Sequence, residues 1–271
     1  MLYELKKCSI CGSEELKIVD KEYVGLDTYL VYKCNSCDSV VSHNKIKEEI
    51  KDTSKENFKS KDIGAVSIFD KNSKNVYSVE CFINDEDKST GTAFTVGSNG
   101  YLLTNAHIVT RISSEEESFV NFEVNEDITV KSVNNEIFDC ELIDIDLKLD
   151  LALLKINKKN LSCISLGSYA DVKTGERVVS IGNSKGEGLC ISEGLVGDRA
   201  RNLTKQTKIL ISVPVNQGSS GGPLFNMKGQ VIGVVTSWKK DAVAMNYAVP
   251  VDEVVKFIRR IEKEQEIKVI N

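Results

Sequence analysis

Residues 216–225 read NQGSSGGPLF and place Ser220 within a run of glycines. The three glycines free the backbone to make a sharp turn that presents the serine hydroxyl. The same turn can aim the N–H groups of Gly218 and Ser220, with Ser219 as a third candidate, at an oxyanion. The segment therefore indicates a nucleophilic serine with an oxyanion hole, although a glycine- and serine-rich loop without chemistry would have a similar composition.

A histidine that could act as general base lies upstream, where residues 91–109 read GTAFTVGSNGYLLTNAHIV. Two apolar segments joined at Ser98-Asn99-Gly100 predict a β-hairpin, and His107 follows its second strand. Histidine is the side chain whose ordinary pKa suits proton transfer near neutral pH. Taken alone, a histidine after a strand is more often structural, so this interpretation depends on the serine segment.

A carboxylate lies between these two segments, in residues 148–156, which read KLDLALLKI. An aspartate at the start of a buried apolar strand is unusual unless it is paired, and pairing with the histidine Nδ1–H would fix the tautomer. Asp144 and Asp146 compete for this role. Asp150 is preferred because the strand that follows would hold its carboxylate in place, whereas the other two fit the polar face of an alternating strand.

The order His107, Asp150, Ser220 is that of the chymotrypsin fold. The segments TNAHIV, DLALLKI and NQGSSGGPLFNMKGQVIGV resemble the bacterial Deg/Htr branch of that fold, over about residues 75–262. The resemblance implies a serine endopeptidase that works through an acyl-enzyme on protein or peptide substrates. It also implies a following PDZ domain, which we do not expect here, and a proline where this chain has Gln217.

Short apolar runs separated by turn residues fill the chain from about residue 63 and predict an all-β fold. Together with the resemblance they predict a chymotrypsin-like double β-barrel. After Pro250, apolar residues recur at helical spacing and predict a C-terminal amphipathic helix. These residues are Val251, Val254, Val255, Ile258 and Ile261.

Substrate specificity is predicted from two segments beside the serine loop. Val213 and Pro214 precede the loop, and no aspartate accompanies them that could bind a basic side chain. Ser237 and Trp238 end a segment that resembles the strand on which substrate pairs. We expect a small or medium apolar P1 residue, although these four residues could equally be ordinary core positions.

The first 43 residues predict a small zinc ribbon. Cys8-x-x-Cys11 and Cys34-x-x-Cys37 are separated by 22 residues, and two such turns complete a tetrahedral site of four thiolates. No position remains for a water molecule, so the zinc would be structural. His43 is a conceivable alternative ligand, but four cysteines already fill the site. Residues 44–62 are charged and polar and predict a solvated helix or linker before the protease domain, residues 63–271.

The charge of the chain limits its partners. Residues 1–62 contain 11 Lys, no Arg and 12 Asp plus Glu, and the whole chain carries a net charge of −5. A nucleic-acid surface is therefore unfavourable, and we expect the ribbon to bind a protein partner that directs cleavage. A silent peptide-binding protease fold and a nucleic-acid-responsive regulator remain as alternatives.

The location is predicted to be cytoplasmic, with no membrane association. The first residues lack the apolar segment of a secretory signal, and no apolar run approaches the ~18 residues that a membrane span needs. In that compartment thiols stay reduced, so Cys81, Cys140, Cys163 and Cys190 are expected to be plain thiols.

Overall fold

The protein is described from a computed structural model. The described residues are 8, 10–24, 27–46, 63–82, 88–116, 119–125, 127–203, 206–236 and 245–270. The chain divides into two compact units, Met1–Lys59 and Ser60–Asn271. The described helices are α1 (Gly64–Asn72), α2 (Ala106–Val109) and α3 (Val251–Glu264), all in the second unit.

The first unit is a three-stranded antiparallel sheet in which the middle strand pairs with both neighbours. Its strands are β1 (Leu16–Val24), β2 (Asp27–Cys34) and β3 (Val40–Ile46). The third strand continues three residues beyond the predicted end of the module at residue 43. Most of the predicted linker, residues 47–62, lies outside the described residues.

The second unit contains two closed six-stranded barrels, as the sequence predicted. The first has the strand order β10-β11-β6-β5-β4-β9 and the second β12-β13-β14-β17-β16-β15. The first barrel consists of β4 (Val76–Phe82), β5 (Lys88–Thr95), β6 (Tyr101–Thr104), β9 (Asp127–Lys131), β10 (Ile137–Asp146) and β11 (Leu151–Ile156). The second consists of β12 (Arg177–Gly182), β13 (Cys190–Leu203), β14 (Gln206–Ile211), β15 (Pro223–Asn226), β16 (Val231–Thr236) and β17 (Asn246–Pro250). A separate hairpin of β7 (Thr110–Glu116) and β8 (Phe119–Val124) follows α2.

Three buried apolar clusters hold this unit together. One fills the first barrel and one fills the second. The third and largest contains residues from both barrels, α1, α3 and the chain end, including Phe94, Phe225 and Phe257. Because apolar burial is the main stabilising contribution, this shared cluster joins the two barrels.

The predicted hairpin and terminal helix are both confirmed. Val96 N–H donates to Tyr101 C=O across the turn, and Gly100 supplies the positive φ, +87°, while Asn99 does not. Helix α3 buries one face, as its spacing predicted. Beyond it, the N–H groups of Val269 and Ile270 both donate to the Glu262 carboxylate, which returns the chain end to the shared core.

Candidate active site

Asp150 and His107 come together at the edge of the first barrel. The His107 Nδ1 lies 2.9 Å from Asp150 Oδ2 and 3.0 Å from Oδ1, and the His107 backbone N–H also donates to Oδ1 at 3.0 Å. A carboxylate in this position selects the tautomer with the proton on Nδ1 and leaves Nε2 free to accept one. The imidazole is 44% exposed, so it can reach a substrate.

Two further residues hold Asp150, and sequence reasoning missed both. Thr236, at the end of β16, donates its hydroxyl to Asp150 Oδ2 at 2.7 Å. Asn105 donates its amide to the Asp150 carbonyl at 2.8 Å. Asp150 itself has a φ of +62°, a left-handed conformation that aspartate tolerates better than most residues. A threonine at a strand end carries no sequence signal for such a role.

The two competing carboxylates are engaged elsewhere. Asp144 pairs with Arg260 of α3, with the shortest contact at 3.1 Å. Asp146 accepts a hydrogen bond from the Leu149 N–H at 2.8 Å and so closes the turn before Asp150. Neither is in contact with His107 among the described residues, which leaves Asp150 as the carboxylate beside the imidazole.

The serine loop has a backbone that two of its glycines make possible. Gly218 and Gly221 have φ values of +91° and +84°. A Cβ on Gly221 would lie 2.1 Å from the Thr92 carbonyl oxygen, and one on Gly218 would lie 2.1 Å from the Asn183 carbonyl oxygen. Because such distances are impossible for real side chains, any other residue would push the loop away from Asn183 at position 218 and from Thr92 at position 221.

Three successive peptide units of this loop are each held by a hydrogen bond on their carbonyl group. Gln217 C=O accepts from the Lys185 N–H at 2.7 Å, Gly218 C=O from the Thr92 hydroxyl at 2.6 Å, and Ser219 C=O from the Gly222 N–H at 3.1 Å. In a trans peptide the C=O and the following N–H point in opposite directions. The first and third of these contacts therefore direct the N–H groups of Gly218 and Ser220 away from their anchors.

These two N–H groups have the property that an oxyanion hole requires. Within the described residues neither the Gly218 N–H nor the Ser220 N–H donates a hydrogen bond. The Ser219 N–H, by contrast, donates to Asn216 C=O at 3.0 Å and is already used. The loop therefore offers two N–H groups that donate no hydrogen bond, those of Gly218 and Ser220. The Ser219 N–H between them is hydrogen-bonded to Asn216.

Ser220 lies against the residues that lead into His107. Its carbonyl accepts from the Thr92 N–H at 2.8 Å, and a Cβ on the next residue, Gly221, would lie 3.1 Å from the Asn105 N. No hydrogen bond joins the Ser220 Oγ to His107 in the part of the chain that the structure describes. The residue is 4% exposed, yet its Oγ is not among the described polar atoms sealed from solvent without a partner. The Ser220 hydroxyl is thus not sealed from solvent, and it makes no hydrogen bond among the described residues.

The predicted substrate-binding residues have different surroundings. Val213 is fully buried in the core of the second barrel, and its carbonyl accepts from the Asn246 amide at 2.8 Å. Pro214 is exposed. Ser237 and Trp238 lie outside the described residues.

The four cysteines of the first unit cluster as predicted, with their Sγ atoms all within 4.8 Å of one another. Cys8 and Cys37 Sγ are 3.7 Å apart, and Cys11 and Cys34 Sγ are 3.6 Å apart. Four thiolates around Zn²⁺ at about 2.3 Å would be separated by about 3.8 Å, so the donor set fits this metal. The Cys11 N–H also points at the Cys8 Sγ, at 3.4 Å, which supports a thiolate.

The two cysteine turns have the same backbone hydrogen bonds. Gly12 N–H donates to Cys8 C=O, and Asp38 N–H donates to Cys34 C=O, both at 2.9 Å. Gly12 and Asp38 have φ values of +74° and +62° at equivalent positions. Glycine suits such a position because it adopts a positive φ without strain, whereas an aspartate there carries no comparable sequence signal.

Comparison with known families identifies the second unit. Residues 91–234, just over half of the chain, match the family described as trypsin-like peptidase domain. The chain belongs to the trypsin-like peptidase family. This peptidase is 31% identical over 188 residues to a probable periplasmic serine endoprotease, DegP-like, of Pseudomonas putida, covering 67% of this chain and 37% of the relative. A protein of the same description from Hahella chejuensis is 32% identical over 189 residues, covering 68% and 38%.

Solved structures agree with this assignment. An HtrA-type protease, AlgW with tripeptide, superposes with a TM-score of 0.64 at 25% identity, covering 74% of this peptidase and 64% of that chain. The serine endoprotease from Yersinia pestis shares the fold, with a TM-score of 0.61 and 23% identity, covering 74% and 67%. The predicted resemblance to Deg/Htr-type serine proteases is therefore confirmed. The peptidase spans less than two-fifths of the length of the curated relatives it matches.

The predicted cytoplasmic location is wrong by this comparison, because the curated relatives are named as periplasmic proteases. That prediction rested on the first residues of the sequence, which do not decide a compartment. Among the described helices, none combines the length and the apolar character that crossing a membrane requires.

Proposed function

We propose that this protein is a serine endopeptidase in which His107, Asp150 and Ser220 form the catalytic triad. The observation that carries the proposal is the Asp150 carboxylate on His107 Nδ1 at 2.9 Å, combined with two unengaged N–H groups beside Ser220. The first feature prepares a general base, and the second prepares the site of an oxyanion. A fold kept only for binding peptides has no need of either.

The reaction follows from this geometry. His107 Nε2 accepts the Ser220 proton as the serine oxygen attacks the peptide carbonyl carbon, and Asp150 stabilises the imidazolium that forms. The carbonyl oxygen becomes an oxyanion and receives hydrogen bonds from the Gly218 and Ser220 N–H groups. His107 then gives its proton to the leaving amine. Water, activated by the same imidazole, releases the acyl group from Ser220.

The step from serine to histidine requires a hydrogen bond from the Ser220 hydroxyl to His107 Nε2, which is not formed among the described residues. The Ser220 hydroxyl has no other hydrogen bond there either, so its rotation about the Cα–Cβ bond breaks no hydrogen bond. Catalytic hydrogen bonds often tighten only when substrate is bound.

We propose protein or peptide substrates with a small or medium apolar P1 residue. The solved relative with a tripeptide supports a peptide ligand for this type of site. The segment from Ser212 to Gln217 carries no carboxylate, and Val213 is buried in the barrel core rather than exposed to the cleft. A peptide library with varied P1 residues tests this: preferential cleavage after Lys or Arg would contradict the proposal.

We propose that the four cysteines of the first unit bind one structural Zn²⁺ and that this unit directs the protease to a protein partner. The thiol spacing supports the metal. Zinc, when bound, would supply most of the folding energy of so small a unit and no catalytic water. Removing residues 1–59 should leave hydrolysis of short peptides intact while cleavage of the natural target is lost. Equal cleavage of that target by both proteins would refute the targeting role.

The triad is tested with a fluorophosphonate probe and a fluorogenic peptide. We expect wild type to be labelled and to hydrolyse the peptide, Ser220→Ala to do neither, and Ser219→Ala to do both. The Ser219 variant is the matched control, because it alters the neighbouring hydroxyl in the same loop. Peptide binding without labelling or turnover by wild type would favour the alternative of a silent peptide-binding fold.

A further inference from the structure

Lys208 is a buried lysine that the proposed mechanism does not use. It lies on β14 in the second barrel and is 5% exposed. Lysine is almost never buried unless its ammonium group has a partner. The Nζ of Lys208 donates to the Leu149 carbonyl at 3.1 Å. Burial lowers the pKa of this lysine, while the nearby carboxylates act in the opposite direction.

The acceptor of this hydrogen bond is the peptide unit that leads directly into Asp150. Leu149 C=O and Asp150 N belong to the same plane, so a donor on the carbonyl restrains the orientation of the aspartate backbone. That restraint matters because Asp150 has a φ of +62°, where a non-glycine residue is strained. A left-handed residue persists only if its surroundings hold it.

A second side chain of β14 acts on the same turn. The Gln206 amide donates to the Lys148 carbonyl. Gln206 and Lys208 are two residues apart on one strand, so both project from the same face. They bind consecutive carbonyls of the turn that precedes β11. The second barrel thus holds, through β14, a turn that belongs to the first barrel.

The carboxylates around Lys208 give its buried ammonium group charged partners. The carboxylates that interact with it are Asp150, Asp146 and Glu253. A cavity of about 530 Å³ adjoins it and is also lined by Lys148, Lys256 and Asp252.

We propose that Lys208 is a positioning residue for Asp150, holding the 149–150 peptide so that the carboxylate meets His107 Nδ1. This proposal rests on the proposed peptidase function and adds a residue to its machinery. Lys208 touches neither substrate nor reacting atoms, and it acts through Asp150.

Lys208→Met tests the proposal because it keeps the apolar stem and removes both the donor and the charge. We expect kcat to fall about 10- to 100-fold with little change in KM, since a carboxylate displaced by less than 1 Å costs up to this factor. Because kcat and kcat/KM would then fall together, the loss would lie in the transition state and not in substrate binding. Lys256→Met, on the rim of the same cavity, should change neither.

A double-mutant cycle separates positioning from general destabilisation. If Lys208 acts through Asp150, Lys208→Met should lower kcat by less than about twofold when Asp150 is already asparagine. Gln206→Ala removes the hydrogen bond to the neighbouring Lys148 carbonyl and should lower kcat several-fold. This variant provides the test if Lys208→Met does not fold.

The outcomes distinguish the positioning role of Lys208 from the proposed peptidase function. Wild-type kcat in Lys208→Met, with an active wild type, would overturn the positioning role alone. Equal losses in the wild-type and Asp150→Asn backgrounds would overturn it too. A wild type that neither reacts with the fluorophosphonate nor cleaves peptides would instead refute the proposed function.

Discussion

Replacing Thr92 by valine should disrupt the proposed oxyanion hole without changing a residue of the proposed triad. Thr92 is fully buried on β5, in the first barrel. Its hydroxyl donates to Gly218 C=O at 2.6 Å and accepts from the Asn183 N–H at 2.9 Å. Valine has nearly the same shape, so the change removes two hydrogen bonds and leaves the packing in place.

The magnitude follows from the groups left without a partner. The Gly218 carbonyl and the Asn183 N–H are both buried, and an unsatisfied buried group costs about 1–3 kcal/mol. The free energy of unfolding should therefore fall by about 2–6 kcal/mol if the loop keeps its conformation. The other response is rotation of the 218–219 peptide, which breaks the hydrogen bond from the Ser219 N–H to Asn216 C=O and would bring a carbonyl oxygen into the space where the substrate oxyanion forms. A carbonyl oxygen there would repel the oxyanion. Since loss of even one oxyanion donor costs about 10²–10³ in kcat, we expect a loss near 100-fold.

The assay compares Thr92→Val with Thr92→Ser, which retains the hydroxyl. Steady-state kinetics on a fluorogenic peptide and the rate of fluorophosphonate labelling report the active site, and urea unfolding reports stability. We expect Thr92→Ser to stay within about threefold of wild type, since both hydrogen bonds survive. The reasoning is refuted if Thr92→Val, at a temperature where it is fully folded, retains wild-type kcat.

Three further predictions concern other parts of the molecule. Thr236→Val removes the hydroxyl that holds Asp150 and should lower kcat about tenfold in peptide hydrolysis, whereas Thr236→Ser should not. Burial alone would raise the pKa of Glu262, but the N–H groups of Val269 and Ile270 lower it below the ordinary value of 4.5. The ionised carboxylate therefore stabilises the folded protein above pH 4.5, and this contribution is lost as the pH falls through the lower pKa of the folded state. Glu262→Gln should thus lower the free energy of unfolding by about 1–2 kcal/mol at pH 7, and urea titrations should show the difference shrinking in acid. Cys11→Ser should reduce bound zinc measured by mass spectrometry without slowing probe labelling, whereas Cys163→Ser should leave the metal content unchanged.

Sequence patterns predicted the structure correctly where an unusual combination of residues has few structural explanations. The glycine-rich serine loop, the paired C-x-x-C turns and the periodic face of α3 are of this kind, and the structure has each where it was predicted. Strand β13 was missed, because Cys190–Leu203 mixes charged residues with two glycines and lacks a simple alternation. Its pairing with β14 contains two register shifts, which shows why period-two reasoning fails there.

The residues that support the proposed site could not be predicted from the sequence, for a different reason. Thr92, Thr236 and Lys208 each lie on a strand, and nothing in their immediate neighbours sets them apart. Their importance comes from contacts that span 126, 86 and 59 residues along the chain. Such contacts depend on how the barrels are packed together, and a local pattern contains no information about that.

Each loop of the proposed active site is hydrogen-bonded to residues of the barrel to which it does not belong. The serine loop connects β14 to β15 of the second barrel, yet Thr92 of the first barrel holds its central peptide. The turn that carries Asp150 precedes β11 of the first barrel, yet Thr236 and Lys208 of the second barrel hold it. Because each half of the proposed site takes contacts from both barrels, its geometry depends on how the two barrels pack on the shared core.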